Sequence, residues 1–442
     1  NLPLRSVRES LAYRILGKIL ELFVFIMYQK VMRLWFLFLF LGFSFSPMSF
    51  AQVLVGLDRL FVEECFTQHI AGKTIVLISH HAAINAQGED ALSLFLAKRS
   101  LCSLVRLCTL EHGYYGSSPA DTITRLEPQG IPVTSLYNMQ DIPPEVVQDS
   151  DLLVYDVQDI GVRSYTFISV LFRLVKASET YHKRLLVLDR PNPMGGEIID
   201  GPIAKFGDHE APAIPYCYGM TPGELALFFQ RVYAPKADVC VVPMKGWKRS
   251  MSFEDTGCIW IPPSPQIPDA QSAFFYATTG ILGALSITSI GVGYTLPFKV
   301  LGAPWMDGER VARELNRHKL PGVVFLPFYY EPFFGKYKME LCSGVLLVLK
   351  NPRVFLPVET QCTILGVLKN LYPKEIAAAF LAINKIPVRR TSICRIIGDE
   401  RFLHICQNER YIMWPLRKLC VEARTVFHSL RAPSLIADYA EE

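Results

Sequence analysis

Residues 151–193 read DLLVYDVQDIGVRSYTFISVLFRLVKASETYHKRLLVLDRPNP. Two short runs rich in Leu and Val, 151–159 and 184–193, flank a segment, Ser164–Ala177, whose apolar residues recur at helical spacing. Strands that are apolar on nearly every residue are buried on both faces. That is the signature of a parallel sheet, whose neighbouring strands must be joined by a crossover of helix length. The same unit repeats outward from this stretch. KTIVLISHH (73–81) and SLVRLCTLEHG (103–113) precede it, and DVCVVPMKGW (238–247) follows. Ala91–Lys98 has helical periodicity between the first two runs. Thr221-Pro-Gly-Glu224 places Thr at an N-cap, Pro at N1 and Glu at N3, and so opens a helix through Leu225–Val232. The expected fold is α/β and doubly wound over residues 52–268.

Beyond this body the character changes. IPPSPQIPDAQS (261–272) is the expected interdomain connection, because prolines stop helices and central strands. A Gly-rich turn at Gly291-Val-Gly293, an apolar run GVLLVLKN (344–351) and helical patterns at 358–372, 374–383 and 413–430 then point to a smaller α+β domain over 269–442.

Charge is unevenly placed. The 442 residues hold 45 Lys+Arg and 41 Asp+Glu, a formal net charge of +4. All four belong to residues 1–33, where Arg5, Arg8, Arg14, Lys18, Lys30 and Arg33 face only Glu9 and Glu21. Residues 34–51 are uncharged and 52–442 is balanced, so no basic stripe for nucleic-acid phosphates is expected. From Met32, an Arg, the apolar stretch Leu34–Phe43 and the small residues of Ser49-Phe50-Ala51 fit a secretory signal peptide cut after Ala51. The apolar run is shorter than the roughly 20 residues of a membrane span. Export without a stable membrane anchor, to the periplasm or the extracellular space, is the expectation. Residues 1–31, with Asn1 first and a second apolar patch at Leu22–Met27, are read as sequence upstream of a start at Met32 or Met27. The eleven cysteines include no CxxC pair and no Cys/His cluster with zinc spacing, so no metal is expected.

In an open parallel sheet a ligand sits beyond the carboxyl ends of the strands. Each run here ends in polar or ionisable residues: His80-His81, Glu111-His112, Asp156 with Asp159, and Asp189-Arg190 with Asn192. A single strand-end Asp commonly does no more than cap the next helix; four such ends together point to a shared pocket. Glu111-His112-Gly113 is the sharpest of them, since a partly buried carboxyl suits general-acid work. Arg163 and Arg190 are of the type that clamps a carboxylate or pairs with a neighbouring Asp. Tyr114, Tyr115, Tyr165 and Trp247 offer faces on which a sugar ring could stack. No GxGxxG, P-loop, GxSxG or HExxH motif is present, so no nucleotide cofactor is expected. Carboxylate acid/base chemistry remains, of which glycoside hydrolysis is one instance.

The blocks LEHGYYG (110–116), YDVQDIGVRSYTFIS (155–169), LDRPNPMGGEIIDGP (188–202), YGMTPGELA (218–226), MKGWKRSMSFEDTG (244–257), WIPPSPQIP (260–268) and PFKVLGAPW (297–305) resemble the NamZ, or YbbC-like, family. Its members are exo-β-N-acetylmuramidases that remove terminal N-acetylmuramic acid from peptidoglycan fragments, and the likeness spans about residues 70 to 440. The resemblance implies a Rossmann-like domain, a smaller second domain and an active site in the cleft between them. It also implies a glycoside hydrolase with muropeptides and N-acetylmuramyl-ended glycans as partners, and an envelope-located enzyme fits the leader read above. Glu111 falls on the proposed catalytic acid, and His112 beside it is the second expected catalytic residue, positioning the acid or the water. Asp156, Arg163, Asp189, Arg190 and Asn192 fall on matching motif positions, and His80, Asp159 and Tyr218 complete the expected substrate-binding set. The chain departs from the family at Ser79-His80, at Cys217-Tyr218 and at Gln266, and most seriously at three further positions, Ala284, Ile287 and Val292, where a carboxylate, an amide and a guanidinium are usual. That leaves open a catalytically degenerate binder of muropeptides or glycan ends, or a hydrolase for a different acidic sugar.

Overall fold

The computed structural model describes residues 16–33, 52–117, 130–205 and 212–441. Residues 1–51 and 52–442 form separate units. In the first, residues 16–33 are helical and carry exposed Leu20, Phe23 and Phe25. The expected leader, 34–51, lies outside the described residues. No helix among the described residues is long and apolar enough to cross a membrane.

The second unit opens with the α/β sheet. Its strands are β1 (Thr74–Ser79), β2 (Ser103–Thr109), β3 (Val133–Ser135), β4 (Leu152–Asp156) and β5 (Arg184–Leu188), then, after a two-residue pair β6 (Ile199–Asp200) and β7 (Cys217–Tyr218), β8 (Val239–Val242). The sheet order is β3-β2-β1-β4-β5-β8, with every pairing parallel. Burial on both faces explains the unbroken apolar runs. Ile75, Leu77, Leu152, Val154, Leu186 and Leu188 pack with the helices Gly56–Leu60 and Ala91–Ala97 on one face. Their neighbours Val76, Ile78, Leu153, Tyr155, Leu185 and Val187 pack with Phe167–Tyr181 and Pro222–Tyr233 on the other. The expected capping box is present: Thr221 Oγ1 accepts from Glu224 N, and Glu224 Oε2 accepts from Thr221 N. Strand β3 escaped the sequence reading because it has three half-buried residues at a sheet edge and no apolar run.

The second part carries a three-stranded antiparallel sheet of β9 (Val300–Ala303), β10 (Val323–Tyr330) and β11 (Cys342–Leu349) in the order β10-β11-β9. The run read at 344–351 is the central strand. Around it lie helices that include Ser272–Ala284, Pro357–Leu371 and Met413–Arg431. The proline-rich segment meets this part at the first of these helices. One continuous core runs from β4 through Phe167–Tyr181 to Phe274, Ile281, Cys362 and Phe427.

Candidate functional site

The strand order reverses between β1 and β4, and a doubly wound sheet opens its crevice at such a switch point. Here that crevice is closed by its own charges. Asp156 ends β4 and Arg190 follows β5, and both are buried. Arg190 donates Nε to Asp156 Oδ1 at 2.5 Å and Nη2 to Oδ2 at 2.9 Å, while Nη1 reaches the Ile84 carbonyl. His80, following β1, accepts the Gln158 N–H on Nε2 at 2.9 Å and packs edge-on against Phe167. Burial drives its ionisation well below the ordinary histidine range, aided by His81 and Arg190, so the ring is neutral at pH 7. The void remaining beside Arg190 and Gln158 is about 20 Å³, room for roughly one water.

Open space lies to the side of this plug. A cavity of about 600 Å³ is walled by Glu111, His112, Ser164, Tyr165 and Thr166 of the α/β part, by Ser264–Ile267 of the proline-rich connection, and by Tyr276, Val292, Phe298 and Phe334 of the second part. Glu111 stands two residues past the end of β2 and is half-buried. The chain then reverses through His112 and Gly113, both in the left-handed region at φ 70° and 73°. A non-glycine residue there costs about 1–3 kcal/mol. That turn aims Glu111 at the N-cap residue of the helix Phe167–Tyr181, Thr166, whose Oγ1 donates to Glu111 Oε2 at 2.7 Å. Two residues before Thr166, Ser164 Oγ bonds Tyr216 Oη at 2.8 Å and, from the second part, Tyr276 Oη at 3.3 Å. The Tyr276 ring stands edge-on to Tyr165 and Phe298, at centroid distances of 6.0 and 4.9 Å. A carboxyl held by one hydroxyl, flanked by further hydroxyls and aromatic faces, is equipped to receive one polar ring and to move a proton to it.

The remaining residues expected at the site are placed around this cavity rather than on its wall. Arg163 is buried and turns its guanidinium away, donating to the carbonyls of Arg395, Ile396 and Ile397 at 2.8–3.2 Å. Burial lowers it to about 10, which leaves it charged at neutral pH. Asp189 accepts from Thr221 Oγ1, Gly223 N, Arg190 N and Tyr439 Oη. Asn192 bridges Met194 N and the Met220 carbonyl. Tyr218 donates to Asp159 Oδ2, which also takes the Gly161 N–H at 2.8 Å. Asp159 is buried behind the tyrosines, and the loss of solvation pushes it up to about 6.

Of the aromatic residues read as stacking faces, Tyr165 lines the cavity and Tyr115 is exposed, but Tyr114 and Trp247 are not available. Tyr114 is buried with its hydroxyl on Asp90, and Trp247 is buried edge-on to Tyr439. Among the three most serious departures, Val292 lines the cavity, Ile287 is buried, and Ala284 ends the helix Ser272–Ala284. Sequence reading missed Thr166, Ser164, Ser264, Tyr276, Phe298 and Phe334. Thr166 and Ser164 lie in the quoted block 155–169, so a hydroxyl pair at the N-terminus of a crossover helix was the available signal. Ser264 and Phe298 likewise lie in the quoted blocks 260–268 and 297–305, whereas nothing local marks Tyr276 and Phe334. Among the described residues no three His, Cys, Asp or Glu side chains are grouped so as to hold a metal ion.

Models of the N-terminal and C-terminal parts of the exo-β-N-acetylmuramidase NamZ match residues 75–271 and 274–436. The chain is similar to the peptidoglycan β-N-acetylmuramidase NamZ of Bacillus subtilis (strain 168), with 35% identity over 333 residues, 73% of this chain and 79% of that protein. A crystal structure of a DUF1343 family protein from Bacteroides fragilis NCTC 9343 matches with a TM-score of 0.79 and 33% identity, covering 87% of this chain and 99% of that one. A second protein of that family and organism shares the fold at a TM-score of 0.64 and 24% identity, over 89% of this chain and 100% of its own.

Proposed function

The chain belongs to the exo-β-N-acetylmuramidase NamZ family, and on that premise we propose that it removes terminal N-acetylmuramic acid from peptidoglycan fragments, with Glu111 as the acid. The observation that carries this reading is the half-buried Glu111 carboxyl on the wall of a cavity of about 600 Å³. In the acid form Glu111 gives its proton to the glycosidic oxygen as the bond to the sugar breaks, and water completes the cleavage. Thr166 fixes one carboxyl oxygen, so the acidic proton belongs on the other. His112 shapes the turn beside the acid. Ser164, Ser264, Gln266 and Tyr276 supply hydrogen bonds for ring substituents, and Tyr165 and Phe298 supply apolar faces. His80, Asp156, Arg163, Asp189, Arg190 and Asn192 serve substrate binding indirectly, by holding the strand-end loops, and Asp159 with Tyr218 backs the cavity wall. The leader at 32–51 directs the protein out of the cytoplasm, to the periplasm or beyond.

The test is turnover of a chromogenic N-acetylmuramide by residues 52–442 and by its Glu111→Gln variant. A loss of about 10²- to 10⁴-fold is expected for removal of a general acid. Equal rates in the two proteins would remove Glu111 from the mechanism. A second reading, a degenerate binder of glycan ends, draws on the apolar Val292 in the cavity wall. Calorimetric binding of muropeptides without release of free sugar would favour it.

A further inference from the structure

We propose that the exposed Phe333, next in the chain to Phe334 of the cavity wall, is a stacking platform for the pyranose ring on the leaving-group side of the bond cut at Glu111. The proposal rests on the reading of the cavity as a glycosidase pocket. Phe334 belongs to the cavity wall yet is 51% exposed, and Phe333 beside it is 60% exposed. Two large apolar rings held in water next to a pocket are unfavourable unless something covers them. They do not belong to a loose loop. Phe333 N donates to the Gly293 carbonyl at 2.7 Å and Met339 N to the Pro332 carbonyl at 2.8 Å, while Trp305 Nε1 donates to Tyr337 Oη at 2.9 Å. Gly293 has φ 91°, and a Cβ there would overlap the Phe334 carbonyl, so the two chain segments lie in direct backbone contact. Tyr294 supports the Phe333 ring from one side, at 6.1 Å between centroids and a tilt of 34°. The segment that braces the lip, 291–294, is the one that brings Val292 into the cavity.

The chemistry of the cleavage selects the occupant. A glycosidic oxygen within reach of Glu111 carries the terminal sugar on one side and the leaving group on the other. If the terminal ring fills the cavity, the leaving ring emerges at its mouth, one bond beyond that oxygen. A pyranose presents a face of C–H bonds to an aromatic ring and needs no charge opposite it. An acyl chain or a protein surface would also cover the patch, but neither is joined through a glycosidic oxygen to a ring held in the cavity.

The experiment separates this subsite from the activity. In the Glu111→Gln background, which leaves the bond intact, calorimetry compares the β-linked disaccharide of N-acetylmuramic acid and N-acetylglucosamine with the methyl glycoside of N-acetylmuramic acid. The disaccharide is expected to bind about tenfold more tightly. Phe333→Ala removes that advantage and leaves the methyl glycoside within about twofold; Phe333→Tyr, which keeps the ring, restores it. A disaccharide that binds no better than the methyl glycoside overturns the platform, as does an equal loss on both ligands. Cleavage of the disaccharide by the unmodified protein with no effect of Phe333→Ala removes the platform and leaves the activity standing. Ring-dependent disaccharide binding without release of sugar does the reverse.

Discussion

Asp159 Oδ2 takes hydrogen bonds from Tyr218 and Gly161, whereas Oδ1 is buried with no hydrogen-bond partner among the described residues. Burial without full compensation favours the protonated form, which is why its ionisation moves up to about 6 from 3.8. A carboxyl whose folded pKa is raised adds stability that is complete below the unfolded value and disappears as pH rises through the folded one. The protein should therefore lose stability relative to its Asp159→Asn variant between about pH 4 and pH 6, by at most about 3 kcal/mol. Urea denaturation at the two pH values measures this, and parallel pH dependences in both proteins would refute it. The identity of such a residue was legible in YDVQD; its solvation was not, because burial is set by Tyr218 arriving from elsewhere in the chain. Glu111 was legible as a strand-end acid, but its hydroxyl partner Thr166 was not. Asp156 and Arg190 were each legible as polar ends of strands, and only adjacency of β4 and β5 turned them into a buried ion pair.

At the level of elements, Arg163 shows how a residue near the site acts through a helix. The last carbonyls of any helix lack intrahelical donors. Three of those at the end of Pro387–Ile397 are met by Arg163, and Gly398 beyond them takes φ 93° with no room for a Cβ against the guanidinium. Arg163→Met should lower the stability of the fold by about 2–4 kcal/mol through buried carbonyls left without donors. Chemical denaturation reads that loss; a variant of unchanged stability with a raised KM would instead make Arg163 a direct substrate ligand. The strands of the parallel sheet other than β3, and the helix at Thr221, were legible because burial on two faces and capping leave local patterns. Strand β10 was not. It is an edge strand, VVFLPFYY, whose apolar run is interrupted by Pro327 and whose exposed positions Val324, Leu326 and Tyr329 are not polar, so no polar/apolar alternation marks it.

Over the whole molecule the end of the chain returns to the first sheet. Tyr439 Oη donates to Asp189 Oδ2 at 2.7 Å and accepts the Met244 N–H at 2.7 Å, while its ring meets Trp247 edge-on at 4.9 Å. Arg431, also buried, donates to the carbonyls of Gly196 and Gly219. The strand-end loops carrying Asp189 and Asn192 are thus braced by residues of the C-terminal segment. Tyr439→Phe should cost about 1–3 kcal/mol, since it leaves Met244 N–H unpartnered and takes one donor from Asp189. Thermal unfolding measures this, and an unchanged midpoint would show that the tail is not part of the same cooperative unit. What the sequence determined by itself was periodic or contiguous: the α/β class, the crossover helices, the strand-end acids and the blocks that mark the family. Such features are set by which faces of an element are buried and by turns a few residues long. Only the tertiary structure decided that the switch-point crevice is plugged by Asp156 and Arg190, and that the open cavity lies beside it at Glu111. It alone made Arg163, Asp189 and Asn192 struts for the surrounding loops. Those outcomes depend on pairings between residues tens to hundreds of positions apart, and no local pattern records which distant partner a buried polar group will meet.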